Sequence, residues 1–484
     1  MFWQKFYDKI VPLFTWILIT FPIWFSPFHP AVVAYFIIAF DIYFLYKSIT
    51  TAYYASLSYK QILIEHSTNF KKKLTFLKNK TEIKHFIIVP NYKEPLYKLE
   101  ITIESFIKND YACQDIFLVL AFEERENEAR KKAQTLMNKY RHKFGDILIA
   151  YHNLVSNEVP GKASNQTFAA KLVDQYTRQK KWSPKNILIT VCDADSQLPK
   201  NYFSYLTYEF LKDKEKLYHF FWAPVLLYNN FWQLPFFVRM QATMSSILRL
   251  AFLSQKDNLI QISTYSTNLW LLKEVDFWDV DIIPEDWHVY FQAFFKFGKK
   301  VKTIPLYTII NGDAVYSGGL TKTLINRYEQ EKRWAWGVSD IGYVIRRSSN
   351  SPHIAYWDKL KKILFLIENH LLWPTSFFIL TISASIPPLI NPLFKRTVLG
   401  FLLPQMAGII LTLSTLMLIL YIYLDIKLRQ RLNQKISVLS LPFLFIQWYL
   451  LPVVSFFLSS LPALDAHTRL LFGKKIKYKV TEKV

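Results

Sequence analysis

The chain has 484 residues, with 59 Lys plus Arg against 37 Asp plus Glu, for a formal net charge of +22. A content of 51% hydrophobic and 17% aromatic residues excludes a disordered basic tail, which would be too poor in apolar side chains to fold. Only two cysteines, Cys113 and Cys192, are present, so there is no disulfide framework, and a charge of this size leaves nucleic acid, an anionic membrane surface or an anionic substrate as its partner.

The first elements are two apolar runs, Val11 to Phe28 and Ala31 to Tyr46, separated by His29 and Pro30. Each approaches the roughly 17–25 residues of a membrane-crossing helix. No small-residue cleavage site follows the first, and the second comes at once, which argues against a cleaved signal peptide. Lys47, Lys60, Lys71, Lys72, Lys73, Lys78 and Lys80 follow the second run, whereas the link between the runs carries no Lys or Arg. The positive-inside rule therefore predicts a cytoplasmic N-terminus and a cytoplasmic domain after the second span.

From Lys84 short apolar strands alternate with helical patterns. Strands are predicted at His85 to Pro90, Asp115 to Phe122, Asp146 to Asn153 and Lys185 to Asp193, with helices between them such as Leu96 to Asn109. Continuous apolar strands joined by helices predict a parallel sheet covered on both faces, an α/β doubly wound domain. Ligands bind such sheets beyond the carboxyl ends of the strands, which puts "PNYKEP" and "DAD" on one rim. Neither G-x-G-x-x-G nor a P-loop opens any of the helices.

Asp193 and Asp195 are hard oxygen donors suited to Mg2+ or Mn2+, or else a solvated turn before a helix. Glu285 and Asp286 open a second helical run, "DWHVYFQAFFKFG", where acidic residues also serve as caps. Gln330, Arg333 and Trp334, at i, i+3 and i+4, share one helix face. Three more apolar runs follow: Ile363 to Ile390, Val398 to Leu424 and Ile436 to Leu464. Lys427, Arg429, Arg431 and Lys435 predict a cytoplasmic turn after the second of these. The basic tail and the prolines of the last run leave four, five or six crossings open.

In this order the motifs "VPNYKEP", "GKA" (Gly161 to Ala163), "DAD", "PED" (Pro284 to Asp286) and Q-x-x-R-W make the chain resemble the membrane-embedded members of glycosyltransferase family 2, the cellulose, chitin and hyaluronan synthase group. The resemblance implies a GT-A-type fold between N- and C-terminal transmembrane helices. It divides the chain into two spans (1–48), a basic linker (49–83), a cytoplasmic glycosyltransferase domain (84–348), C-terminal transmembrane and interfacial helices (349–464) and a basic cytoplasmic tail (465–484). It implies an inverting, metal-dependent enzyme of the inner membrane using a nucleotide-diphosphate sugar, foremost a UDP-sugar, with a glycan or lipid-linked acceptor and no nucleic acid. Carried over residue by residue, Pro90, Tyr92, Glu94, Lys162 and Asp193 face the nucleotide and Asp195 the metal. Asp286 is the catalytic base, with Glu285 its rival. Gln330, Arg333 and Trp334 serve the acceptor and the diphosphate. The chain departs from the family at "AFEERE", where an Asp-Asp-Gly stretch is usual and Glu123 is the substitute. It also departs at "PNYKEP", where Lys93 takes the middle place of the usual Tyr-Asn-Glu. The competing reading is a membrane scaffold or regulator that has kept the fold and lost catalysis.

Overall fold

The computed structural model describes residues 2–77, 81–431, 442 and 446–476. Lys78, Lys80, Lys435 and residues 477–484 of the basic tail lie outside these residues, as does most of the first third of the last apolar run.

Two helices, α1 (Phe2–Phe25) and α2 (Pro30–His66), open the chain. Pro30 begins α2, where its missing N–H costs no hydrogen bond. With 37 residues α2 is about 55 Å long at 1.5 Å per residue, well beyond the roughly 30 Å hydrocarbon core of a bilayer. It therefore continues through much of the segment read as a linker. Its second half, where Ala52, Ala55 and Ile62 are buried, packs on the soluble domain.

That domain is built on β1 (Lys84–Asn91), β2 (Ile116–Glu123), β3 (Asp146–His152), β4 (Ile187–Val191), β5 (His219–Trp222), β7 (Tyr265–Asn268) and β8 (Lys302–Pro305), in the order β3-β2-β1-β4-β7-β5-β8. All pairs are parallel except those of β7, which runs antiparallel to β4 and β5. A second, two-stranded sheet pairs β6 (Val225–Leu226) with β9 (Ile310–Asn311). Successive side chains of a strand face opposite ways, so the apolar strands feed two separate cores. Phe86, Ile88, Phe117, Val119, Ile187 and Ile189 face one core; Ile87, Val89, Leu118, Leu120 and Leu188 face the other.

The covering helices include α3 (Leu96–Ile107), α4 (Ala129–Tyr140), α5 (Lys162–Gln179), α6 (Tyr202–Lys212), α7 (Phe236–Leu253), α8 (Glu285–Phe297), α9 (Leu320–Ala335) and α10 (Val338–Ser349). Then come α11 (Tyr356–Thr381), α12 (Val398–Arg431) and a composite helix α13 (Gln447–Leu471), which contains one π-type turn. Among the described residues, α1, α2, α11, α12 and α13 are the five helices long and apolar enough to cross a membrane. The first core does not end at the sheet. It continues into Ala52 and Ala55 of α2 and into Tyr421, Leu424 and Leu428 of α12, so the membrane helices and the α/β domain share one packed layer.

Candidate active site

The parallel strands end on one rim, and the antiparallel β7 brings its beginning to the same place. Tyr265 pairs with Val191, so the residues preceding β7 sit beside those following β4. The Asp193 N–H donates to Thr264 Oγ1 at 3.1 Å. Ser263 adopts a left-handed backbone, φ +66°, which is strained for a residue with a Cβ. That conformation lets its N–H donate to Asp286 Oδ2 while its hydroxyl donates to Asp193 Oδ2. Its carbonyl accepts from Lys162 Nζ at 3.0 Å. One strained residue thus binds both carboxylate motifs and the lysine.

Lys162 is the first residue of α5. Its ammonium lies 2.8 Å from Asp193 Oδ1 and 3.5 Å from Glu285 Oε1. Burial opposes its charge, but Asp193, Glu285 and Asp286 together hold it well above the usual lysine range. Glu285, 6% exposed, is pushed up to about 8 by burial and by the charge of Asp286, against the pull of Lys162. The carboxylates at the start of α8 are therefore unlike. Glu285 is buried and its carboxyl is pushed up; Asp286 opens on a cavity and is held by Ser263 and, through its own carbonyl, by Gln261 Nε2 at 2.9 Å.

The cavity has a volume of about 1660 Å³. Its lining includes Pro90, Tyr92, Glu94, Glu123, Lys162, Asp193, Asp195, Glu285, Asp286, Gln330, Arg333 and Trp334, every residue singled out from the sequence. On the β1 side, Glu94 accepts the Tyr92 N–H at 2.6 Å, which folds the loop back on itself. Glu123 pairs with Arg125, whose guanidinium lies 4.2 Å from the Tyr92 ring centroid. On α9, Gln330 accepts from Arg327, and Trp334 lies beside two guanidiniums, Arg327 at 4.7 Å and Arg249 at 5.3 Å from its ring centroid.

Among the described residues no three His, Cys, Asp or Glu side chains converge as a metal cage. Asp193 and Asp195 nonetheless open on one cavity as two hard oxygen groups. That donor set fits Mg2+ or Mn2+, which need only one or two carboxylates when phosphates and water complete the shell.

The same cavity runs on between the membrane helices. There its lining mixes hydroxyls (Ser48, Thr51, Ser376, Ser414, Thr415 and Ser459) with aromatic rings (Trp373, Phe377, Trp448 and Tyr449). Gly337, just past α9, sits where Trp287 and His370 converge: an added Cβ would lie 3.1 Å from Trp287 Cζ2 and 3.2 Å from His370 Cε1. Trp287 follows Asp286 directly, and its ring stacks on His370 of α11, so the acidic helix start leans on a membrane helix.

The family model described as glycosyl transferase family group 2 matches residues 188–459. The chain belongs to this family. The glycosyltransferase match begins in β4 and ends in α13, so it takes in Asp193, Asp286, the Q-x-x-R-W face, two of the five apolar helices and the first half of a third. No curated protein matches the chain. Among solved structures, it is similar to the mannosyltransferase PcManGT from Pyrobaculum calidifontis in complex with GDP-Man and Mn2+, at 12% identity over 82% of this chain and 100% of that one, TM-score 0.41. It is also similar to S. aureus TarS 1–349 in complex with UDP-GlcNAc, at 13% identity over 72% and 92% of the two chains, TM-score 0.39.

Sequence reasoning missed Ser263 and Arg249 of this glycosyltransferase. Ser263 lies in the stretch "STYSTN" (Ser263 to Asn268), which reads either as hydroxyls around an acceptor or as ordinary loop, and neither reading gives its bonds to Asp193 and Asp286. Arg249 had a signal, a lone cation in the apolar helical run "SSILRLAFL".

Proposed function

We propose that this glycosyltransferase moves a sugar, with inversion, from a nucleotide-diphosphate sugar to a hydroxyl of a glycan or lipid-linked acceptor at the inner membrane, its α/β domain on the cytoplasmic side. One observation carries this reading: a single cavity joins the Asp193, Asp195 and Asp286 carboxylates to a hydroxyl- and aromatic-lined space between membrane helices. A donor then enters from the soluble side and an acceptor from the membrane side, and they meet at Asp286. Membership of the cellulose, chitin and hyaluronan synthase group is part of the proposal, supported by Q-x-x-R-W on the cavity wall.

In this scheme the acceptor oxygen attacks the anomeric carbon from the face opposite the diphosphate. The carbon–oxygen bond to the β-phosphate breaks, its electron pair leaves with the nucleoside diphosphate, and the hydroxyl proton passes to Asp286. A single displacement inverts the carbon. Ser263 keeps the Asp286 carboxylate aimed through its backbone N–H. Lys162 and Arg333 bring fixed positive charge toward the leaving diphosphate. Pro90, Tyr92, Glu94 and Glu123 frame the nucleoside, foremost a uridine. Asp195, with Asp193 beside it, would hold Mg2+ or Mn2+, which when bound adds positive charge to the diphosphate. Trp334 offers a flat face for the acceptor sugar.

The test is a screen of radiolabelled nucleotide sugars with membranes carrying the protein, alongside Asp286→Asn. Wild type should transfer or hydrolyse at least one donor in a divalent cation. Asp286→Asn should keep nucleotide binding and lose about two to four orders of magnitude in turnover, the usual contribution of a placed general base. Near-normal turnover in Asp286→Asn would leave it a helix cap, and no turnover of any donor by wild type would favour a silent scaffold.

A further inference from the structure

Arg249 lies on α7, and its guanidinium opens on the same cavity as Lys162, Asp193 and Asp195. One of its N–H groups donates to the Val225 carbonyl at 2.9 Å. The neighbouring buried guanidinium, Arg327, is matched by the Glu331 carboxylate and the Gln330 amide oxygen. Arg249, in contrast, has no carboxylate within ion-pair distance among the described residues. Burial and the nearby Arg327 hold it down at about 10, which leaves it a cation at neutral pH, while Glu331, Asp193 and Asp195 act on it only over distance. Arg249 is half-buried, and a partly desolvated cation without a carboxylate partner carries a cost. A planar fork of donors turned toward a cavity suits a bidentate phosphate.

We propose that Arg249 is a second arginine of the reaction centre, binding the donor's diphosphate and balancing the charge left on it when the sugar departs. This rests on the nucleotide-diphosphate-sugar reading above. As the acceptor oxygen bonds to the anomeric carbon and the bond to the β-phosphate oxygen breaks, the electron pair stays on the diphosphate and the proton goes to Asp286. Arg249 meets the charge on that phosphate. Its contact with Trp334 puts the same guanidinium beside the acceptor side of the cavity, so it links the two halves of the site.

The alternative is that Arg249 only steadies the Trp334 ring. Binding of UDP against UMP, and of GDP against GMP, to the full-length protein separates the two. Wild type should prefer the diphosphate. Arg249→Gln should reduce that preference roughly tenfold to a hundredfold, the range of a lost charge-assisted hydrogen bond. Monophosphate affinity should hardly change, and turnover should fall about a hundredfold or more. Arg249→Lys, a point charge without the fork, should be intermediate, and it decides the matter if Arg249→Gln fails to melt cooperatively. An unchanged diphosphate preference in these variants overturns the proposal even if acceptor affinity falls. A wild type that binds neither diphosphate overturns this proposal and the donor assignment together.

Discussion

Glu285 and Asp286 are neighbours with different surroundings, and the difference is measurable. Glu285 is 6% exposed, and burial together with the charge of Asp286 lifts its carboxyl from about 4.5 to about 8. A raised carboxyl is more easily accommodated neutral in the folded protein than charged. Its contribution to stability is therefore full below about 4.5 and is lost as pH rises through about 8. Glu285→Gln removes the titration. The apparent melting temperature of wild type should decline between pH 5 and 8 more steeply than that of Glu285→Gln, and parallel curves would show that Glu285 ionises without penalty. Ser263 is the other residue whose role is local. Its hydroxyl and N–H serve two different carboxylates only because its backbone accepts a positive φ.

At the scale of elements, the proposed base Asp286 depends on how α8 is moored. His288, one turn beyond Glu285, bonds through Nδ1 to Asp340 of α10 at 2.6 Å and through Nε2 to Asp279 at 2.8 Å. Burial alone would lower its pKa, but Asp340 and Asp279 outweigh burial and raise it from 6.5 to about 9. Its contribution is therefore full below about 6.5 and disappears as pH rises through about 9. His288→Ala should destabilise the protein by roughly 3–5 kcal/mol, as breaking a buried charge pair does, and should remove the stability loss between about pH 6.5 and 9. Denaturation at pH 6 and pH 9.5 tests this; an equal loss on His288→Ala at both values would mean that the histidine only packs. The α8–α10 link was not legible in the sequence because Asp279, His288 and Asp340 lie on separate segments, and their convergence is a product of packing.

At the scale of the whole molecule, the shared core layer makes the soluble domain and the membrane helices one packed body around one cavity. The proposed cytoplasmic orientation has a native reporter, since Cys113 is exposed and Cys192 is buried. In intact cells Cys113 should resist a membrane-impermeant thiol reagent and should label after permeabilisation, with Cys113→Ser as control. Labelling of Cys113 from outside intact cells would reverse the topology and remove the donor from reach of the site.

The sequence by itself determined the membrane runs, the α/β alternation and the two carboxylate motifs. Each of these is written in local patterns: apolar length, strand periodicity, and acidic residues at element ends. It also carried the spacing of Q-x-x-R-W on one helix face. The extent of α2 was hidden, because beyond Lys47 its residues mix polar and apolar side chains beside a run of lysines, and only packing on the α/β domain settles a helix of that length. The antiparallel course of β7 was equally hidden, since four residues carry no directional signal. That reversal brings Ser263 to Asp193 and Asp286. Tertiary structure alone decided which polar groups face each other across the cavity, because long-range contacts, not neighbouring residues, place Ser263, Arg249 and His288 beside the groups they serve.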